Sequence, residues 1–194
     1  VLRLSALLHD VGKPRTRAFS EKTNDYTFYD HERMGAQMAD PILQRLKLLE
    51  RRAAKVVARS CRHHLICYSP DWTDAAVRRW LRRVGPELAP LLYRLGRADV
   101  RGKGRPADAD LNNIDELERR ASELLASGAA LSTRDLQLKG GDLMKELSIA
   151  PGPVVGKILE RLLELVTDEP TANEREALLA EARRLHAELT RDAS

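Results

Sequence analysis

The chain has 194 residues, of which 43% are apolar and only 4% aromatic, with a formal net charge of +4. That length holds one large domain, or a medium one with a smaller helical partner, and a composition led by Ala, Leu, Arg and Glu with short β-branched runs favours an all-α fold. No apolar stretch approaches the roughly 18–20 residues of a membrane span and no secretory leader is visible, so we expect a cytoplasmic protein that does not enter a membrane. Val1 falls inside an apolar periodic run (Val1, Leu4, Leu7, Leu8), as if the chain were part of a longer protein whose remainder lies upstream.

Charge is unevenly spread. Residues 1–110 carry 22 Lys/Arg against 13 Asp/Glu, while residues 111–194 carry 11 against 16. The basic part suits a polyanionic substrate or an RNA partner; a solvated basic face is the plainer alternative. Cys61 and Cys67 make no disulfide framework and read as free buried thiols of a reducing compartment.

In chain order, a helix over Val1–Val11 stops at Gly12 and Pro14. Residues 13–30, with Pro14, Asn24 and a short aromatic run (Tyr26, Phe28, Tyr29), read as a surface loop. Helical periodicity returns at His31 and continues to Leu49, less regular at Pro41. A helix from Arg51 to about Leu65 follows, with Ala54, Val57, Ala58 and Cys61 on one face. After the break at Ser69-Pro70-Asp71, either Asp71 or Thr73 caps a helix carrying Val77, Trp80, Leu81 and Val84, which ends at Gly85-Pro86. Leu88–Ala98 is helical and leads into Asp99. The stretch from Arg101 to Pro106 has the composition of a linker. Beyond it lie a helix near Asp110–Ser127, a turn at Ser132-Thr133, a short helix opened by Asp142, a turn at Ile149-Ala150-Pro151-Gly152-Pro153 that starts a helix through Val166, and a last helix over Asn173–Leu189. The expected organisation is a first helical domain over residues 1–105 and a smaller helical module over residues 106–194.

Chemistry concentrates at the start. His9 and Asp10 diverge by roughly 100° on a helix, yet an imidazole and a carboxylate at a helix end can share a divalent ion if other ligands come from elsewhere. The following Gly12-Lys13-Pro14 turns the chain and places a cation where it could neutralise a phosphate. His31, His63 and His64 lie in the same N-terminal part, each beginning or ending an apolar segment. Asp99 reads as an acid at a helix C-terminus, where it opposes the macrodipole unless a cation compensates.

These residues carry a resemblance. His9-Asp10, His31, His63 and Ala98-Asp99 resemble the HD superfamily of metal-dependent phosphohydrolases. Leu8-His9-Asp10-Val11-Gly12-Lys13-Pro14 with Phe28-Tyr29-Asp30-His31-Glu32-Arg33-Met34-Gly35-Ala36 looks like the HD module of bacterial tRNA nucleotidyltransferases (CCA-adding enzymes) and related poly(A) polymerases. Leu138-Lys139-Gly140-Gly141-Asp142-Leu143-Met144 and Pro151-Gly152-Pro153-Val154-Val155-Gly156-Lys157-Ile158-Leu159 are similar to the C-terminal, RNA-contacting part of that family. The resemblance implies an HD-type helical domain followed by a C-terminal helical module. It assigns His9, Asp10 and Asp99 to a first divalent metal (Mg, Mn, Ni, Co, Fe or Zn), and His31 and His63 to a second metal or the substrate phosphate, with His64 a poorer candidate than His63. His9, Asp10 and Lys13 would be catalytic, in hydrolysis of 2′,3′-cyclic phosphates, 2′-nucleotides and related phosphomonoesters. Gly152, Gly156 and Lys157 would cradle phosphates of an RNA, expected to be tRNA, although Pro and Gly there could simply shape a helix–helix turn.

Two departures stand out. The HD pattern usually has a further histidine on a helix that here would precede Val1, and the nucleotidyl-transfer site needs a Gly-Ser segment and paired acids on a sheet, which these residues do not supply. An inactive helical spacer that binds RNA is therefore one alternative, and a free-standing HD nucleotide phosphohydrolase is another, against which the RNA-type tail argues.

Overall fold

The computed structural model describes residues 1–47, 49–104 and 106–191. It is predominantly α-helical, as the composition implies. The helices are α1 (Leu2–Leu8), α2 (Lys13–Thr16), α3 (His31–Leu46), α4 (Arg51–His63), α5 (Asp74–Val84), α6 (Ala89–Gly102), α7 (Asp108–Ala126), α8 (Gly140–Leu147), α9 (Pro153–Asp168) and α10 (Arg175–Arg191). Among the described residues no helix is long and apolar enough to cross a membrane.

Two compact units emerge, residues 1–71 with 84–119, and residues 72–83 with 120–194. In this grouping residues 72–83, with most of α5, go with the second unit, and the other boundary falls inside α7 after Arg119 rather than after residue 105. Within the second unit, the buried Arg78 donates from Nε to the Thr167 carbonyl at 2.8 Å, and Arg82 reaches Glu164 at 2.9 Å and the Thr167 hydroxyl at 3.0 Å. A buried guanidinium must have its donors satisfied, and here α9 supplies the acceptors. Of the expected linker, Arg101 and Gly102 complete the last turn of α6, and Arg105 lies outside the described residues.

In the first unit α1, α3, α4 and α6 pack together. Leu8, Ala39, Leu43, Ala54, Val57 and Cys61 form a core, drawn from the apolar stripe that each helix presents at helical spacing. The buried Ser5 and Ser60 hydroxyls, 2.8 Å apart, tie α1 to α4, and Ser60 also lies 2.7 Å from the Val57 carbonyl. Pro41 sits inside α3 without ending it.

The expected loop over residues 13–30 is ordered instead. It holds α2 and an antiparallel hairpin, β1 (Ala18–Ser20) with β2 (Asp25–Thr27), in which Phe19 pairs with Tyr26. Three-residue strands are too short to show an alternation in sequence. Thr73, not Asp71, caps α5, accepting from the Ala76 amide at 3.2 Å.

The second unit has its own core, led by Leu136, Leu138, Leu143, Ile158, Leu162, Leu178 and Ala182. Asn173 secures the approach to α8, accepting from the Gln137 amide at 2.9 Å and donating to the Asp135 carbonyl at 3.1 Å.

Candidate metal centre

Backbone contact positions the first two ligands. A Cβ at Gly12 would lie 2.2 Å from the His31 carbonyl oxygen and 2.7 Å from the Gly35 nitrogen. Only glycine lets the turn after α1 lie on the first turn of α3, and this brings His9 and Asp10 beside His31. In the sequence Gly12 reads as a helix stop and a turn, and nothing there shows that it comes to lie against Gly35.

Four elements deliver the cluster. His9 caps the C-terminus of α1, with Asp10 next to it; His31 opens α3; His64 follows the last residue of α4; Asp99 lies in α6. His31 Nε2 lies 3.3 Å from Asp10 Oδ1, and His64 Nε2 lies 3.7 Å from the same oxygen. His9 Nε2 is 3.3 Å from Asp10 Oδ2 and 3.5 Å from Asp99 Oδ1. His31 Nε2 and His64 Nε2 face each other at 3.3 Å.

Each ring is oriented the same way. Nδ1 lies 2.8 Å from the Ala6 carbonyl in His9, 2.7 Å from the Phe28 carbonyl in His31, and 2.8 Å from the Cys61 carbonyl in His64. A carbonyl only accepts, so each Nδ1 donates to it and each ring turns its Nε2 toward the carboxylates. Three ring nitrogens are thereby brought to the Asp10 carboxylate, with Asp99 beside His9. A backbone carbonyl behind each ring is the usual support of a metal-ligating histidine. The donor chemistry fits a divalent transition ion; among the described residues, His9, Asp10 and His64 each bring one ligand atom within 4.8 Å of the others.

Two lysines flank the cluster. Lys13 Nζ lies 2.5 Å from Asp10 Oδ2, and Lys103 Nζ lies 2.7 Å from Asp99 Oδ2. Burial works to raise the pKa of Asp10, but the bond from Lys13 and the nearby charges of His9, Lys13 and His64 prevail and hold it below the usual carboxylate value. Burial depresses His64, only partly offset by its bond to the Cys61 carbonyl, and His9 and His31 add to the depression.

Two expectations, on Asp99 and Cys67, are corrected here. His64, which the resemblance ranks behind His63, brings its ring nitrogen to Asp10 and His31, and His63, one position earlier, is half-buried. Asp99 does not follow a helix but lies within α6, where Lys103 one turn later supplies the compensating cation, a partner the sequence reading did not assign. Cys67 is exposed, and only Cys61 is a buried thiol, its pKa pushed up to about 11 by burial.

In the second unit, Gly152 precedes the first turn of α9 in an extended conformation, and Gly156 and Lys157 lie on that helix, all three exposed. A Cβ at Gly152 or Gly156 would meet nothing within 4 Å. The fold itself therefore makes no steric demand for glycine at either position.

Comparison with known proteins agrees with the resemblance of the motifs. The family tRNA nucleotidyltransferase domain 2 matches residues 34–182. The chain belongs to this family. It is 36% identical over 168 residues to the A-adding tRNA nucleotidyltransferase of Deinococcus radiodurans, covering 84% of this chain and 37% of that protein. It is 33% identical over 178 residues to the CC-adding tRNA nucleotidyltransferase of Thermus thermophilus, covering 90% of this chain and 38% of the relative. A shorter match, 38% identical over 65 residues, covers 32% of the chain and 16% of the CCA-adding enzyme of Lactiplantibacillus plantarum. The chain thus spans little more than a third of the two longer-matching relatives. No solved structure matches.

Proposed function

We propose that the first unit is an HD-type metal-dependent phosphohydrolase site and that the second binds RNA, within a protein that acts on tRNA as the named relatives do. The observation that supports the first part is the convergence of three histidine Nε2 atoms on Asp10, with Asp99 beside His9, each ring fixed by a carbonyl at its Nδ1. His9, Asp10, His31, His64 and Asp99 would hold the ion. When bound, a divalent ion supplies Lewis-acid polarisation of a phosphoryl oxygen and lowers the pKa of water. The chain's own residues do the rest: the three rings stay in one tautomer, and Lys13 and Lys103 offer ammonium donors to phosphate oxygens from two sides. For the second part, Gly152 and Gly156 leave open backbone at the start of α9 with Lys157 beside it, which suits a phosphate approaching closely.

One observation favours the alternative, a metal-free spacer. Lys13 and Lys103 already balance Asp10 and Asp99, so charge alone does not require an ion. The decisive experiment measures bound metal after dialysis against Mn, Co, Ni or Mg, together with hydrolysis of 2′,3′-cyclic AMP, for the chain and its Asp10→Ala variant. Stoichiometric metal and turnover lost in the variant support the hydrolase. Absent metal, and a rate equal to that of the variant, leave the spacer.

A further inference from the structure

The corner between α3 and α4 concentrates positive charge. Residues 44–55 hold Arg45, Lys47, Arg51, Arg52 and Lys55 against one acid, Glu50. All five cations are exposed. Further along α4, Arg59 reaches Glu87 and Arg62 reaches Glu32, but among the described residues the five have no such partner. Their placement costs the fold. Arg51 and Arg52 lie in the first turn of α4, at the positive end of its dipole, and that turn contains no acid. Lys55 follows Arg51 by four residues and Arg52 by three, so like charges are neighbours on the helix surface. In the second unit, by contrast, Arg79 and Arg82 of α5 pair with Glu160, Glu164 and Asp168 of α9. Cations that the chain leaves unbalanced, at a cost, gain from an anion supplied from outside. Lys47 and Arg51 also line an open cleft of about 430 Å³ with Gln44, Leu49 and Ala54. No aromatic ring occurs among residues 44–55. Unpaired bases are held by stacking on such rings, so the corner suits a phosphate backbone whose bases pair with one another.

We infer that the α3–α4 corner docks the phosphate backbone of an RNA double helix, through Lys47, Arg51, Arg52 and Lys55 with Arg45 beside them. This rests on the reading of the partner as RNA, and it gives the first unit a contact of its own, apart from Gly152, Gly156 and Lys157. The corner is also apart from the histidine cluster. His31 opens α3 and His64 follows α4, so the cluster lies at the other end of both helices. At a rise of about 1.5 Å per residue the separation is about 20 Å, and variants at the corner leave the metal ligands in place.

Binding of a labelled, blunt-ended RNA duplex is followed by fluorescence anisotropy across a salt series. The whole chain is compared with a variant carrying Lys47→Gln, Arg51→Gln and Lys55→Gln. The expected result is an affinity lower by about tenfold or more, and a log–log salt slope smaller by about 2–3, close to one per lost phosphate contact. A control carrying Arg3→Gln, Lys22→Gln and Lys145→Gln removes the same charge from exposed positions elsewhere, and should bind nearly as tightly as the unaltered chain. Arg51→Glu guards against misfolding: it places an acid in the first turn of α4, so it should weaken binding without lowering the melting temperature. Four results overturn the inference: an unchanged triple variant, an equal loss in the control, a single strand bound as tightly as the duplex, and phosphatidylserine vesicles bound through the same three cations in place of the duplex. Lys157→Glu separates the two RNA contacts. Loss there alone leaves the contact at α9 and removes the corner, loss in the corner variant alone does the reverse, and loss in both supports both.

Discussion

The two units use glycine in opposite ways. In the first, Gly12 lies so close to α3 that a single methyl group would collide with backbone, and the ligand cluster depends on that contact. In the second, Gly152 and Gly156 face open space, and nothing in their own fold needs them. A glycine demanded by packing reports on architecture, while one that packing leaves idle is free to meet something that approaches from outside. The comparison also separates buried, mutually oriented chemistry in the first unit from exposed and unconstrained chemistry in the second.

The comparison can be broken most severely at Asp10, whose two oxygens face all three histidines. Asp10→Ala should remove bound metal and lower hydrolysis of 2′,3′-cyclic AMP by more than the roughly 10–100-fold that outer-shell changes cost, with helicity by circular dichroism unchanged. Gly12→Ala comes next. Urea unfolding should show a loss of about 1–3 kcal/mol, the usual cost of forced overpacking, and metal affinity should fall with it. His64→Ala and His63→Ala then divide the adjacent histidines: calorimetric titration with Mn or Ni should find affinity weakened about tenfold or more by the former and nearly unchanged by the latter.

A smaller effect is expected from pH. His64 is held below its unfolded value of about 6.5, so the unfolded chain takes up that proton first, and the melting temperature of the chelated protein should drop as pH falls below about 6.5. Asp10, also depressed, adds its stabilisation above about pH 3.9 and loses it in stronger acid, in the same direction. A flat profile between pH 7.5 and 5.5 would contradict the depressed His64. Smallest of all, Gly156→Ala should stabilise the fold by about 0.5–1 kcal/mol, since an exposed helical glycine gains from a methyl group. If RNA seats there, the same change should weaken tRNA binding. Lys157→Glu should reduce both the affinity and its salt dependence.

Much of the fold was legible because long helices declare themselves by period. The helices starting at His31 and Arg51 were expected at those residues, and the one through Val166 was expected to follow the turn at residues 149–153. What escaped was tertiary in origin. The hairpin at residues 18–27 is too short for a pattern, and α5 groups with the second unit through arginines whose acceptors lie more than 80 residues away in the chain. At the site, His9, Asp10, His31 and Asp99 could be named from motif spacing. The choice between His63 and His64 could not, because adjacent residues differ only in the direction the helix end gives them. Lys103 was legible in principle, four residues beyond Asp99 on a helix, but the linker reading hid it.

The contact between Gly12 and α3 has one more consequence. The spacing between His9-Asp10 and His31 is set by main chain resting on main chain, like a rivet with no play, rather than by side chains that could be traded for others of similar size. Donor atoms around it can be exchanged to favour a softer or harder ion while the frame stays in register. A change at Gly12, by contrast, moves His9 and Asp10 together against His31.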